Sequence, residues 1–208
     1  MNSWITSVLP AAPARVLDAG CGAGTLAAQL IAGGYDVTAI DLDPSAALAA
    51  GVPAVRADLA GFEAAPFEAI VMRMSLHHME PMEMALNAAA RLLAPGGSLV
   101  VDDFAWERAD PAAATWFYDA GAVIGGRDLV ADPANEWERE HGDLATGEEM
   151  LAAISARFDV KTLRRVPFLH RYLKCEGERA ERLRTIEELR HPLIGLRVLA
   201  VSRGTDGT

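Results

Sequence analysis

The sequence predicts an open α/β fold built on a parallel sheet, and three observations carry that prediction. Apolar, strand-like runs alternate with helical segments through the first hundred residues. One run, Val16-Leu17-Asp18-Ala19, ends in Gly20-Cys21-Gly22-Ala23-Gly24 and turns at once into the helical Thr25 to Leu30. Three successive strands close on Gly20, Asp41 and Asp58, which gathers polar groups at the carboxyl edge of one sheet, where open α/β folds bind ligands.

A buried strand, a tight glycine turn and a helix N-terminus make a place to hold a nucleoside. Glycine supplies backbone angles closed to other residues, and its missing Cβ lets a ligand lie against the chain; the helix start behind it offers free N–H groups. A dinucleotide fold would want G-x-G-x-x-G, but counting from Gly20 and Gly22 the third position is Thr25. The pattern that fits is Asp18-x-Gly20-x-Gly22-x-Gly24. At these residues the chain resembles the class I S-adenosylmethionine-dependent methyltransferases, whose first motif binds that cofactor. The resemblance implies cofactor contacts at Asp18, Ala19, Gly20, Cys21 and Gly22.

Taken in order, Met1 to Leu9 can form one helix before Pro10 and Pro13 break it. Relatives of this class often carry a longer N-terminal cover over the cofactor, and this segment is short. The helix after the glycine turn, from about Ala23, stops at Gly33-Gly34, and Asp36 to Ile40 reads as the second strand. Asp41 at its tip stands about 20 residues past the glycines, where nucleoside-binding folds set a carboxylate on the ribose diol; Leu42 adjoins it. Asp43-Pro44 reads as a helix cap followed by proline in the first turn. A third short strand, Pro53 to Ala57, ends at Asp58-Leu59, which matches the family motif in which an acid meets the adenine amino group and an apolar neighbour packs on the ring. Taken without the resemblance, Asp58 reads as a turn residue.

The fourth strand, Phe67 to Met72, runs into Arg73-Met74-Ser75-Leu76-His77-His78-Met79, and Leu93-Ala94-Pro95-Gly96-Gly97 announces the fifth. Together these resemble the corresponding motifs of small-molecule methyltransferases of the methyltransferase-11/25-like group. The resemblance implies that the backbone of Arg73 and Met74 receives the amino group of the cofactor's methionine moiety. It also implies a Rossmann-like, seven-stranded, mainly parallel sheet with helices on both faces and an antiparallel last strand. The Asn/Asp-Pro-Pro-Tyr/Phe motif of planar-nitrogen methyltransferases is absent at this point. Adjacent helical residues point about 100° apart, so His77 and His78 cannot share one role. His78 matches the family's usual position and is expected to order the turn; His77 is a candidate general base. No third and fourth ligand stand at zinc spacing, and the methionines from Met72 to Met84 read as packing.

Beyond Asp103 the family pattern varies, so acceptor identity is expected there. Residues 104–145 read as a helical cap or insert within a single domain spanning 1–208. Trp106, Trp116 and Tyr118 in it, with His170 further on, are candidate acceptor contacts, the alternative being aromatics that anchor the insert or line a dimer contact. His141 is a second candidate base. Thr146-Gly147-Glu148-Glu149 reads as a capping box. Phe158 to Leu173 reads as strand, with His170 and Tyr172 on one face; Glu178 to Arg190 reads as a charged helix and Leu196 to Val201 as the last strand.

Composition narrows the function. A length of 208 residues suits one α/β domain. A formal net charge of −10 argues against a nucleic-acid surface. Two cysteines give no disulfide framework, and with no membrane-length apolar run or signal-like start the expected location is cytoplasmic. The expected activity is transfer of a methyl group from S-adenosylmethionine to a small-molecule acceptor, with S-adenosylhomocysteine as product and a homodimer as a possible assembly. The alternatives are a non-catalytic module that binds S-adenosylmethionine or S-adenosylhomocysteine, and an NAD-dependent oxidoreductase, which Thr25 disfavours. A metal-assisted O-methyltransferase would need acids after both the fourth and fifth strands, and only Asp102 and Asp103 are present, so no metal is expected.

Overall fold

The computed structural model describes residues 3–124, 126–173 and 175–203, and these divide into two compact units. The first takes in residues 3–103, 149–163 and 197–203; the second takes in the described residues of 104–148 and 164–196.

Among the described residues the sheet has seven strands, in the order β3-β2-β1-β4-β5-β7-β6. They are β1 (Arg15–Ala19), β2 (Asp36–Asp41), β3 (Val55–Arg56), β4 (Phe67–Arg73), β5 (Leu93–Phe104), β6 (Phe158–Val166) and β7 (Gly195–Ser202). Strands β1 to β5 pair in parallel, and the last strands run antiparallel. β1 lies centrally, with Leu17 opposite Thr38 on one side and Ile70 on the other. Its Val16, Leu17 and Ala19 have no exposed surface, as expected of a parallel strand covered on both faces. β3 is shorter than the strand from Pro53 to Ala57 that the sequence suggests. Both of its residues are exposed at the sheet edge, and Pro53 has no N–H to extend the pairing.

Helices α1 (Ser3–Val8) and α2 (Thr25–Ala32) cover one part of the sheet. Trp4 and Ile5 pack with Val16, Leu26, Leu30, Val71 and Val100. A second cluster joins Cys21 and Ala27 to Ala39, Ala47 and Val52 near α3 (Ser45–Ala49). Pro44, not Asp43, occupies the cap position of α3; the Asp43 carboxylate stands one residue earlier and accepts from Ser45 N–H. α4 (Met82–Leu92) leads into β5, and α7 (Gly147–Arg157) leads into β6. In this unit Arg197 Nε donates to Asp102 Oδ1 at 3.0 Å, and its guanidinium lies over Trp4.

The second unit holds α5 (Pro111–Ile124), α6 (Pro133–His141) and α8 (Gly177–Arg190). Phe117, Tyr118 and Trp137 are buried in it, and Phe104 stacks on Phe168 at 5.0 Å. Strand β6 stops at Val166, before Pro167, and Leu169–Leu173 is a 3-10 turn, not the strand its composition suggested. The cause lies in α8. Glu187 is fully buried, and its carboxylate accepts from the N–H groups of Phe168, Leu169 and His170 and from His170 Nδ1. Burial works to raise its pKa, but those four donors outweigh burial and hold it below the usual range. Replacing Glu187 with glutamine leaves a buried donor facing an amide. The expected cost is about 2–3 kcal/mol, seen as a melting temperature lowered by roughly 4–12 °C at pH 7. Because the folded pKa is depressed, the contribution of Glu187 is present above pH 4.5 and lost on acidification below it.

Candidate active site

The site is built at the carboxyl ends of β1, β2 and β4. After Ala19 the chain makes three left-handed turns, Gly20 at φ +78°, Gly22 at +51° and Gly24 at +72°, and α2 begins. Gly20 and Cys21 both donate their N–H to Ile40 O, which fixes the turn against β2. The tip of β2 completes the link: Asp41 Oδ2 accepts from Gly22 N–H at 2.7 Å and Oδ1 from Asp43 N–H at 2.9 Å. The carboxylate is thus held at the turn by two backbone donors.

A cleft of about 200 Å³ opens beside it. Gly20, Ile40, Asp41 and Leu42 line one part; Ala57, Asp58, Leu59 and Ala60 line another; Ser75, His78, Met79 and Glu80 close it. Carboxylates beside an apolar slot suit a nucleoside, with diol and amino hydrogens to donate and a flat ring to cover. Asp58 caps the 3-10 turn Leu59–Gly61 by accepting from Ala60 N–H at 3.0 Å. The turn role read from the residue alone is therefore real, and Asp58 still lines the cleft.

Asp18 lies beneath the turn, 1% exposed, with one carboxylate oxygen unpartnered. Burial pushes its pKa up to about 7, against the opposing pull of Arg73 and the Ala27 N–H at the start of α2; Asp41 adds to the rise. Arg73 ends β4 with its Nε buried and unpartnered. Burial, with Asp18 and Asp41, raises the Cys21 thiol to about 11, so Cys21 is an uncharged, unreactive part of the turn at neutral pH.

The turn after β4 is held on every side. Met74 has φ +56° and gives its N–H to Asp102 O; Ser75 Oγ donates to Ala19 O at 2.8 Å. The two histidines have the reverse of the expected arrangement. His77 is buried and its Nδ1 lies 2.6 Å from Asp103 Oδ1, so it is His77 that orders the turn. His78 is exposed and lines the cleft. Partial burial and the adjacent His77 ring hold its pKa below the usual histidine range. Adjacent residues exchange roles here because Leu76–His78 is a 3-10 turn anchored by an aspartate 26 residues away. Asp102 and Asp103 engage Arg197 and His77, and no group of metal-ligating side chains occurs among the described residues.

A family model described as a methyltransferase domain matches residues 2–151. The chain belongs to this methyltransferase-domain family. Among curated proteins it is similar to the ubiquinone biosynthesis O-methyltransferase of Xylella fastidiosa, 36% identical over 110 residues, which is 47% of this chain and 45% of that protein. The chain thus spans about half the length of such relatives. Among solved structures, an S-adenosylmethionine-dependent methyltransferase from Mesorhizobium loti aligns with TM-score 0.66 at 22% identity, covering 96% of each chain. The 1,6-didemethyltoxoflavin-N1-methyltransferase of Burkholderia thailandensis, solved with bound 1,6-didemethyltoxoflavin and S-adenosylhomocysteine, aligns with TM-score 0.56 at 22% identity, covering 91% of this chain and 71% of that one. At this identity the likeness speaks for the fold.

Within the methyltransferase domain, the residues singled out by sequence fall into three groups. Gly20, Asp41, Leu42, Asp58 and Leu59 line the cleft. Ala19, Cys21, Gly22 and Asp18 build the turn behind it, and Arg73 and Met74 end β4. Ile40, Ser75, His78, Met79 and Glu80 also line the cleft, and a sequence signal for Ser75, His78 and Met79 existed in the double-histidine motif. Apart from His77, which pairs with Asp103 in the first unit, the remaining candidates lie in the second unit, each with a partner there. Trp106 Nε1 donates to Leu144 O, Tyr118 OH to Glu140, and His170 Nδ1 meets Glu187. His141 Nδ1 lies 2.8 Å from Trp137 O, and its ring stacks on Trp137. Trp116 stacks on His191 and lines an open apolar groove with Val123 and Leu183.

Proposed function

We propose that the chain binds S-adenosylmethionine in the cleft of its first unit and transfers the methyl group to a small-molecule acceptor. The observation that carries this reading is the Asp41 carboxylate, fastened to Gly22 of the glycine turn at the mouth of an apolar slot that Asp58 and Leu59 close. The proposed cofactor contacts are Asp18, Ala19, Gly20, Cys21, Gly22, Asp41, Leu42, Asp58, Leu59, Arg73 and Met74. Asp41 accepts the ribose hydroxyl protons, Asp58 the adenine amino group, and Leu59 covers the ring. The bound cofactor supplies a methyl group already activated on a sulfonium. The chain then has to align a nucleophile and exclude water, and proximity of that kind contributes several kcal/mol without a covalent intermediate.

The reading includes one domain with residues 104–145 as an insert; those residues belong to the second unit together with residues 164–196. It assigns acceptor contact to Trp106, Trp116, Tyr118 and His170, of which Trp116 lines an open groove. An acceptor other than nucleic acid is supported by the net charge of −10, and the reading takes the location as cytoplasmic. Among the described residues no helix is long and apolar enough to cross a membrane. The reading is compatible with a homodimer, and light scattering checks it.

The test is transfer of labelled methyl from S-adenosylmethionine across a panel of phenols, amines and carboxylic acids. Transfer to one class supports the reading; cofactor binding with no transfer to any acceptor favours a non-catalytic binding module. Asp41→Ala should weaken S-adenosylhomocysteine binding about 10- to 100-fold, since two charge-assisted hydrogen bonds are lost. Isothermal titration measures this.

A further inference from the structure

We propose that Asp103 is a positioning residue, which holds the turn after β4 in the shape that receives the amino-acid end of the cofactor; this rests on the reading above. The turn is one that the backbone does not adopt unaided. Met74 lies at φ +56°, in a region L side chains rarely occupy. Its neighbours are pinned in both directions: Met74 N–H to Asp102 O at 3.0 Å, and Ser75 Oγ to Ala19 O at 2.8 Å. Asp103 supplies the remaining support. It has no exposed surface, and its two oxygens grip successive residues, Oδ2 taking Leu76 N–H at 3.2 Å and Oδ1 taking His77 Nδ1–H at 2.6 Å.

A carboxylate can accept both donors at once, which an apolar or single-acceptor side chain cannot do. Leu76 N–H opens the 3-10 turn, so it has no partner within that turn. His77 is 4% exposed, which removes its ring from the cleft and makes it a strut. The strut bears on His78, whose ring centroid lies 4.0 Å away and which lines the cleft with Ser75. Asp103 does not line that cleft. It acts through Leu76 on the Met74 backbone and through His77 on His78. The adenosine end is held from other elements of that cleft, by Asp41, Asp58 and Leu59 at the ends of β2 and β3.

That separation defines the test. S-adenosylhomocysteine and 5′-methylthioadenosine share the adenosine end, and only the first carries the amino-acid end. Both are titrated calorimetrically into the wild type, Asp103→Ala, Asp103→Asn and His77→Phe, with circular dichroism establishing that each variant is folded at the titration temperature. Asp103→Ala should bind S-adenosylhomocysteine at least tenfold more weakly and methylthioadenosine within threefold of wild type. His77→Phe keeps the ring and loses the bond, and should show the same asymmetry. Asparagine retains an acceptor for Leu76 N–H and a donor for His77 Nδ1 once the ring proton moves to Nε2, so Asp103→Asn should recover most of the affinity. Folded Asp103→Ala and His77→Phe with wild-type affinity for S-adenosylhomocysteine, or with equal losses for both ligands, would overturn the proposal. If Asp103→Ala does not fold, His77→Phe decides by the same criterion. A wild-type protein that binds neither ligand would overturn the cofactor reading itself, and the proposal with it.

Discussion

Gly20→Ala is expected to abolish S-adenosylhomocysteine binding and to lower the melting temperature by roughly 10 °C. Two independent costs combine. Gly20 has φ +78°, where an L side chain costs about 1–2 kcal/mol. Its added Cβ would stand 2.4 Å from Ser75 Cβ and 3.0 Å from Ser75 Oγ, an overlap that adds about 1–3 kcal/mol in a packed interior. Ser75 cannot swing aside cheaply, because its hydroxyl is buried on Ala19 O. For a chain of this size each kcal/mol moves the midpoint by roughly 2–4 °C. The pair Gly20→Ala with Ser75→Gly separates the two costs: clearing the side chain should restore part of the stability and leave the backbone cost. Thermal melts of the two single variants and the double variant measure it. Additive losses would mean that the close approach of the two strand ends has no energetic weight.

The second large effect concerns Asp18. Its folded pKa stands near 7, against 3.8 in the unfolded chain, so between those values the folded state binds the proton that the unfolded state has released. Stability therefore falls as pH rises from about 4 to about 7, and is flat with respect to this group below and above. At 1.36 kcal/mol per unit the loss is on the order of 4 kcal/mol. Asparagine keeps the shape, retains an acceptor for Ala27 N–H and carries no charge at any pH. Asp18→Asn should therefore be more stable than wild type at pH 8, by up to roughly 10 °C, and similar to it at pH 4. A series of melts from pH 4 to 8 on both proteins checks this; parallel curves would place Asp18 in a solvated setting. In the proposed complex the cationic cofactor favours the ionised carboxylate, so binding at pH 6.5 should release protons in the wild type and not in Asp18→Asn.

What could be read from the sequence was what is local. The glycine spacing from Asp18 to Gly24 and the strand that ends at Asp41 are contiguous patterns, and each stands where those patterns put it; the Pro-Gly-Gly run falls inside β5, where its register with β4 shifts. The features that escaped depend on distant partners. Leu169 to Leu173 has the composition of a strand, yet Glu187, 18 residues beyond Leu169, collects its N–H groups and bends it into a 3-10 turn. The division of labour between His77 and His78 is set by Asp103, whose place beside β4 is a consequence of sheet register. The aromatic density after Asp103 was visible, but the partners were not: Trp106 to Leu144 and Tyr118 to Glu140 are contacts of tertiary packing. Burial had a like effect on Asp18, a carboxylate in any sequence and a group near neutrality in this fold.

The central claim is that the cleft beside Gly20 and Asp41 is an S-adenosylmethionine site. Its most direct test is calorimetric titration of the purified wild-type protein with S-adenosylhomocysteine, alongside NAD. The account predicts a single site of micromolar affinity for S-adenosylhomocysteine, weakened about 10- to 100-fold in Asp41→Ala, and no heat with NAD. Saturable binding of NAD with none of S-adenosylhomocysteine would contradict it.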